Sequence, residues 1–335
     1  MSKILDTSVY LPEKILTNKE LEKIFPSWSA KKIYTKTGIK ERRIAAEHET
    51  AGDMGIKAAE NLFQKDIVSR LDIDFLIFCT QAPDHILPTT ACIIQNELKL
   101  PKTCGALDIN LGCSGYVYSL SLANGLIESG AANNVLIITS DTYSKYINPN
   151  DKSVRTLFGD AATATVIGSS SSKESIGPFV FGTDGSGAEN LIVPAGLFRL
   201  PRTAKTGIEY KDSSGNYRSS NDLYMNGPEI MLFSLKEVPT AIDSLCDKSK
   251  INLDGYDYFI LHQANTFMLE ALRKKLKLPP KKIPIFIENT GNTVSSTIPL
   301  VLDNLLNDKK IAKGYKVLLC GFGVGYSWAA CHIQF

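Results

Sequence analysis

Several residue types and patterns are scarce in this 335-residue chain, and each scarcity excludes a class of protein. There are four histidines, His48, His85, His262 and His332. None stands at metal-ligand spacing from another histidine or from paired cysteines, so no structural metal is expected. The seven cysteines include no Cys-x-x-Cys pair. Cys79, Cys320 and Cys331 lie in apolar, strand-like runs and read as small core residues. The formal net charge is only +2, too little for a nucleic-acid footprint. No apolar run approaches the roughly 18 residues of a membrane span. The opening Met1-Ser2-Lys3-Ile4-Leu5-Asp6 lacks the apolar stretch of a signal peptide. The expected location is the cytoplasm, away from membranes.

What is present is an ordinary globular composition, 44% apolar and 21% charged. The length suits two units of roughly 150–170 residues, or one such unit duplicated. A Gly/Ser-rich seam, Gly168 to Ser175, divides the chain near its middle. It sets expected halves of 1–170 and 171–335. A polar stretch from Lys205 to Asp222 reads as a surface insertion. The first half offers an apolar strand over Asp74–Cys79, a helix over Thr89–Leu98 and a strand over Gly105–Ile109. A long helix over Cys113–Gly130 and strands over Val135–Thr139 and Ala162–Ile167 follow. The second half offers a strand over Asp257–His262, a helix over Met268–Leu276, a strand over Ile283–Ile287 and a helix over Val294–Leu306. Strands over Lys316–Cys320 and Trp328–Phe335 close it. Alternating strands and helices predict an α/β architecture. The first three strand pairs are offset by about 180 residues, which points to duplication. Sites in α/β sheets gather beyond the carboxyl ends of strands. On that frame Cys113, His262 and Asn292 face one another where the halves meet.

Each local motif carries two readings. Gly112-Cys113-Ser114-Gly115 places a cysteine at a helix start, where free N–H groups favour a thiolate. It is equally a buried cysteine at a helix start. His262 in His262-Gln263-Ala264-Asn265 is either a chemical group or a satisfied structural histidine. Asn289-Thr290-Gly291-Asn292-Thr293 reads as a turn with Asn292 or Thr293 capping the next helix. Gly321-Phe322-Gly323-Val324-Gly325 is a hairpin turn or a phosphate loop, though it lacks the Lys-Ser/Thr ending and no helix follows. The basic clusters Lys31-Lys32, Arg273-Lys274-Lys275 and Lys281-Lys282 are solvated helix faces or a landing site for an acidic partner.

Taken in order, Gly-Cys-Ser-Gly, His-Gln-Ala-Asn, Gly-Asn-Thr and a C-terminal Gly-Phe-Gly-x-Gly-x-x-Trp resemble the β-ketoacyl-ACP synthase III family. Thr35-Lys36-Thr37-Gly38-Ile39-Lys40-Glu41-Arg42 with Glu49-Thr50, and Phe158-Gly159-Asp160-Ala161-Ala162, extend the resemblance across nearly the whole chain. It implies a thiolase-like fold: two duplicated βαβαβαββ halves in an α/β/α/β/α stack. It implies that Cys113 accepts an acyl group from acyl-CoA, with the N–H groups of Cys113 and Val324 as oxyanion hole. His262 Nε2–H and the Asn292 amide would then steady the enolate left when malonyl-ACP loses carbon dioxide. The product is a β-ketoacyl thioester, as in the initiation of fatty acid synthesis, with no metal or bound cofactor. A homodimer is also implied.

Some positions depart from the family pattern. Phe267 stands where an arginine that docks the acyl carrier protein is usual, and Arg273 and Lys274 lie further along that helix. CoA-binding positions fall on Lys32, Lys36 and Lys152; Lys32 cannot stack on adenine as tryptophan would, Trp28 lies nearby for that part, and Asn265 is counted with the CoA- and ACP-binding residues. Lysine lacks the bidentate fork of arginine. Acyl-pocket positions fall on Leu87, Tyr143, Phe158 and Phe322. The residue matching Leu87 reaches into a partner's pocket in the family, and Tyr143 is larger and more polar than usual. A short or unusual acyl group is expected. The alternative is a related acyltransferase that passes its acyl group to an amine or alcohol in polysaccharide or secondary metabolism.

Overall fold

The structure, a computed structural model, describes residues 1–170 and 174–335. The first half begins with β1 (Ser2–Tyr10), followed by a small β2 (Lys14–Thr17) and β3 (Glu41–Ile44) hairpin enclosing α1 (Asn18–Ile24) and α2 (Ala30–Thr37). Next come α3 (Ala51–Phe63), β4 (Phe75–Cys79), α4 (Thr90–Glu97), β5 (Gly105–Ile109) and α5 (Gly115–Glu128). β6 (Asn134–Asp141), α6 (Lys152–Arg155) and β7 (Ala161–Ser169) complete it. The apolar run of β4 is covered on both faces, as a central strand flanked by parallel neighbours requires. The sheet order is β1-β7-β6-β4-β5.

The second half opens with β8 (Ser175–Thr183) and a run of two-residue strands. These are β9 (Leu191–Ile192), β10 (Tyr210–Lys211), β11 (Tyr217–Arg218) and β12 (Tyr224–Met225). Then follow α7 (Gly227–Ser249), β13 (Tyr258–Leu261), α8 (Thr266–Lys275), α9 (Thr297–Asn307), β14 (Lys316–Gly323) and β15 (Ser327–Gln334). The sheet order β13-β14-β15-β8 repeats the β4-β6-β7-β1 arrangement of the first half. α5 and α9 fill the space between the two sheets, with Leu120, Ala123, Val301 and Leu305 in one core. α3 and α4 cover the outer face of the first sheet, and α7 and α8 that of the second. The result is the expected five-layer stack. No helix among the described residues is long and apolar enough to cross a membrane.

Two expectations need correction, and one falls partly outside the described residues. The strand expected over Ile283–Ile287 does not form, so the second sheet has four strands. Pro284 has no N–H to give a ladder. The Gln263 side chain takes the missing strand's place: its amide nitrogen donates to Pro284 O at 3.4 Å and its oxygen accepts from Phe286 N at 3.1 Å. The polar stretch Lys205 to Asp222 is more than a surface insertion. Arg218 in it is 4% exposed and pairs with the buried Asp151 at 2.9 Å and with Asp212 at 2.7 Å. At the seam, β7 runs to Ser169 and β8 starts at Ser175. Residues 171–173 lie outside the described residues.

Candidate active site

Cys113 stands one residue ahead of Ser114, the residue that caps α5, so the thiol sits just off the helix start. Its own N–H and that of Val324 both point at Sγ. Glycines make this approach possible. A Cβ on Gly321 would lie 2.6 Å from Cys113 O, and one on Gly323 would lie 2.8 Å from Cys113 Sγ. The glycine-rich segment is therefore the end of β14 pressed against the cysteine loop, in addition to a turn. The thiol is not the lowered one expected from a helix start. Burial, then the nearby Asp141 carboxylate, push it up to about 12, and the two N–H groups offset only part of that.

His262 follows β13 directly, with its N–H bonded to Cys320 O at 2.9 Å. Its ring meets Phe322 edge-on at 5.5 Å between centroids. Nδ1 lies 2.7 Å from Thr297 Oγ1. Burial pushes the imidazole down to about 3, so it is neutral at physiological pH.

Asn292 reaches the site without the strand expected before it. Its main chain instead bridges to the first half: Asn292 N donates to Leu157 O at 2.9 Å, and Gly159 N donates to Asn292 O at 3.0 Å. Gly291, at φ +73°, makes the turn; a Cβ there would meet Leu157 O at 2.8 Å. The Asn292 side chain does not cap a helix by the usual pattern. Its Oδ1 accepts from Val294 N at 2.9 Å, two residues on, which fixes which end of the amide carries N–H outward.

Cys113, His262 and Asn292 line one cavity of about 70 Å³, together with Phe158, Phe322 and Asn265. Asn265 also caps α8, accepting from Met268 N at 2.8 Å. The other expected site residues are not among those that line this cavity. Tyr143 is buried behind Phe158, its ring 5.3 Å from that ring, and its hydroxyl donates to Gln81. Leu87 is 79% exposed and lies outside the cavity of its own chain. Trp28, Lys32 and Lys36 cluster, with the two ammonium groups 5.4 and 5.6 Å from the Trp28 ring centre. Lys152 donates to Ser214 O and so ties α6 to the 205–222 stretch. Arg273 is engaged by Glu270 at 2.8 Å and by Leu278 O at 3.0 Å, while Lys274 is exposed. α2 and α8 touch where Gly38 packs on Thr266.

Two residues near the cavity carried no sequence signal. Asp141, at the end of β6, is fully buried and accepts from Gln81 N at 2.8 Å, from Ser295 N at 3.3 Å and from the Ser295 hydroxyl. Burial raises its carboxyl to about 7. Thr297, the partner of His262, falls inside the helix expected over Val294–Leu306 and is not singled out there.

Comparison with known proteins gives a consistent answer. Residues 107–185 match the family model described as 3-oxoacyl-[acyl-carrier-protein] synthase III, and residues 246–335 match the model of its C-terminal part. A β-ketoacyl-[acyl-carrier-protein] synthase III of Caldanaerobacter subterraneus subsp. tengcongensis is 37% identical over 331 residues, covering 99% of this chain and 97% of its own. The synthase III of Chlamydia caviae is 38% identical over 325 residues, covering 97% and 94%. A crystal structure of a 3-oxoacyl-(acyl-carrier-protein) synthase III superposes with a TM-score of 0.98 at 56% identity, over 100% of this chain and 99% of that one. The layered frame is thus that of the thiolase-like condensing enzymes, and the protein is an acyltransferase of that class. Within the class, the chain belongs to the 3-oxoacyl-[acyl-carrier-protein] synthase III family.

Proposed function

We propose that this enzyme loads a short acyl group from acyl-CoA onto Cys113 and condenses it with malonyl-ACP. The observation that carries this reading is the convergence of two backbone N–H groups on Cys113 Sγ, in the cavity that His262 and Asn292 also line. In the first half-reaction the sulfur attacks the thioester carbonyl and the thiol proton leaves with CoA as its thiol. The N–H groups of Cys113 and Val324 hold the oxyanion, and such a donor is worth roughly 10²–10³ in rate. In the second, the malonyl C–CO₂ bond breaks and the enolate oxygen takes hydrogen bonds from the Asn292 amide and from His262. The enolate carbon attacks the acyl-cysteine, the carbon–sulfur bond breaks to release the β-ketoacyl thioester beside the departed CO₂, and the Cys113 sulfur takes a proton from solvent. A neutral His262 donates throughout without exchanging its proton.

The reading places the nucleophile in a half spanning 1–170 and both donors in a half spanning 171–335. Trp28, Lys32, Lys36, Lys152 and Asn265 serve the CoA and pantetheine arm; Arg273 and Lys274 serve the acidic carrier. Phe158 and Phe322, backed by Tyr143, close the acyl pocket. Leu87 completes the pocket of a second copy in a homodimer. Ile86 at 68% exposure, Leu87 at 79% and Phe198 at 88% supply apolar surface for such a contact. A monomer by light scattering at micromolar concentration would exclude that arrangement. Intact mass after incubation with acyl-CoAs of rising length tests the chemistry. One acyl group should add, Cys113→Ala should abolish the gain, and malonyl-ACP should discharge it as a β-keto product. Discharge only by amines or alcohols would overturn the condensation.

A further inference from the structure

The turn from Asn292 to Thr297 holds both proposed donors, and its geometry goes beyond simple placement. Val294 sits at its centre with φ +55°, in the left-handed region that a β-branched residue almost never occupies. Such a conformation persists only where its surroundings over-determine it. Here the Val294 N–H donates to Asn292 Oδ1 at 2.9 Å, and the Val294 carbonyl lies 3.1 Å from Thr297 Oγ1. The residues between are fastened to the first sheet. Ser295 bonds Asp141, and Ser296 Oγ lies 2.9 Å from Thr139 Oγ1 and 3.2 Å from Thr139 O.

Thr297 has one hydroxyl hydrogen and two candidate acceptors, His262 Nδ1 at 2.7 Å and Val294 O at 3.1 Å. In the condensation proposed above His262 donates from Nε2, so its Nδ1 carries no hydrogen, and the Thr297 hydroxyl at 2.7 Å is placed to donate to it. A neutral imidazole that accepts at Nδ1 carries its own hydrogen on Nε2.

We infer that Thr297 is a positioning residue that holds His262 in the Nε2–H tautomer, so that one turn bolted to the first sheet orients both enolate donors. This rests on the condensation proposed above, in which His262 acts as a donor. Thr297→Val removes the hydroxyl and keeps the branched shape; Thr297→Ser restores the hydroxyl. Acyl loading of Cys113 needs no hydrogen from His262, and discharge by a malonyl thioester does.

The test pairs kinetics with ¹⁵N spectra of the histidine side chains. Wild type should show an unprotonated Nδ1 and a protonated Nε2 for His262, assigned by its loss in His262→Ala. Thr297→Val should load Cys113 at the wild-type rate with an unchanged KM for acyl-CoA. It should discharge the acyl-enzyme about 10²-fold more slowly with malonyl thioester. Thr297→Ser should discharge within about threefold of wild type. A protonated Nδ1 in wild type overturns the inference. So does wild-type discharge by Thr297→Val, or an equal loss of loading and discharge, which marks a merely structural role. If wild type loads but never discharges malonyl thioester, the proposed condensation fails, while the spectrum still decides the tautomer.

Discussion

Asp141 offers the sharpest test of how the cavity's surroundings are built. It is a carboxyl with no exposed surface, and among the described residues it is held by Gln81 N and Ser295 with no cation against it. Burial raises it from 3.8 to about 7. The folded state thus keeps a proton that the unfolded chain gives up. Stability contributed by this group is fully present below about pH 4, declines as pH rises, and is gone above about 7. The whole loss amounts to about 4 kcal/mol, of which about 3 kcal/mol falls between pH 4.5 and 8. Asp141→Asn removes the titration and keeps an acceptor for Gln81 N, while its amide nitrogen faces Ser295, whose hydroxyl must turn from donor to acceptor; that cost is the same at both pH values and cancels in the comparison. Urea unfolding of both proteins at pH 4.5 and 8 isolates the effect, because every other group titrates in both. Relative to wild type, the variant should gain about 3 kcal/mol on going from the lower to the higher pH. Parallel pH profiles would refute the assignment of a buried, proton-holding carboxyl.

Other predictions follow from contacts already described. Gly321→Ala should lose about 1–3 kcal/mol by urea midpoint and fail to load an acyl group, since its Cβ would fall 2.6 Å from Cys113 O. Arg218→Ala strands the buried Asp151 carboxylate and should cost about 3–5 kcal/mol in the same assay; a change within ±0.5 kcal/mol would show that the pair bears no load. Iodoacetamide labelling of Cys113, read by peptide mass, should accelerate about tenfold per pH unit from 7 to 9 with no plateau. A plateau near neutrality would contradict a thiol pushed up to about 12.

The parts of the fold written in local pattern were legible from sequence. The apolar run of β4 and the Gly-Cys-Ser-Gly start of α5 each need only neighbours in the chain to be recognised. The strand expected over Ile283–Ile287 had the right residues, but Pro284 and the reach of Gln263 decided otherwise, and the second of these is a tertiary contact. The thiol's pKa was misjudged for the same reason. A helix start is visible in sequence; burial, and Asp141 beside the thiol, are not. Nor was the purpose of Gly321 and Gly323 visible, because the loop they admit lies some 200 residues away in the chain. Asn292 was found by resemblance, yet what positions it, the main chain of residues 157–159, belongs to the other half.

That last bridge has a consequence for how the enzyme comes into being. Asn292 N and O are each bonded to the opposite half, so the asparagine takes this position only after the halves dock. A chain stopped after β8 would carry Cys113, and the remainder His262 and Asn292, but neither piece would hold the cavity that the three line together. On the proposed chemistry, the cavity that Cys113, His262 and Asn292 line is complete only when both halves are in place.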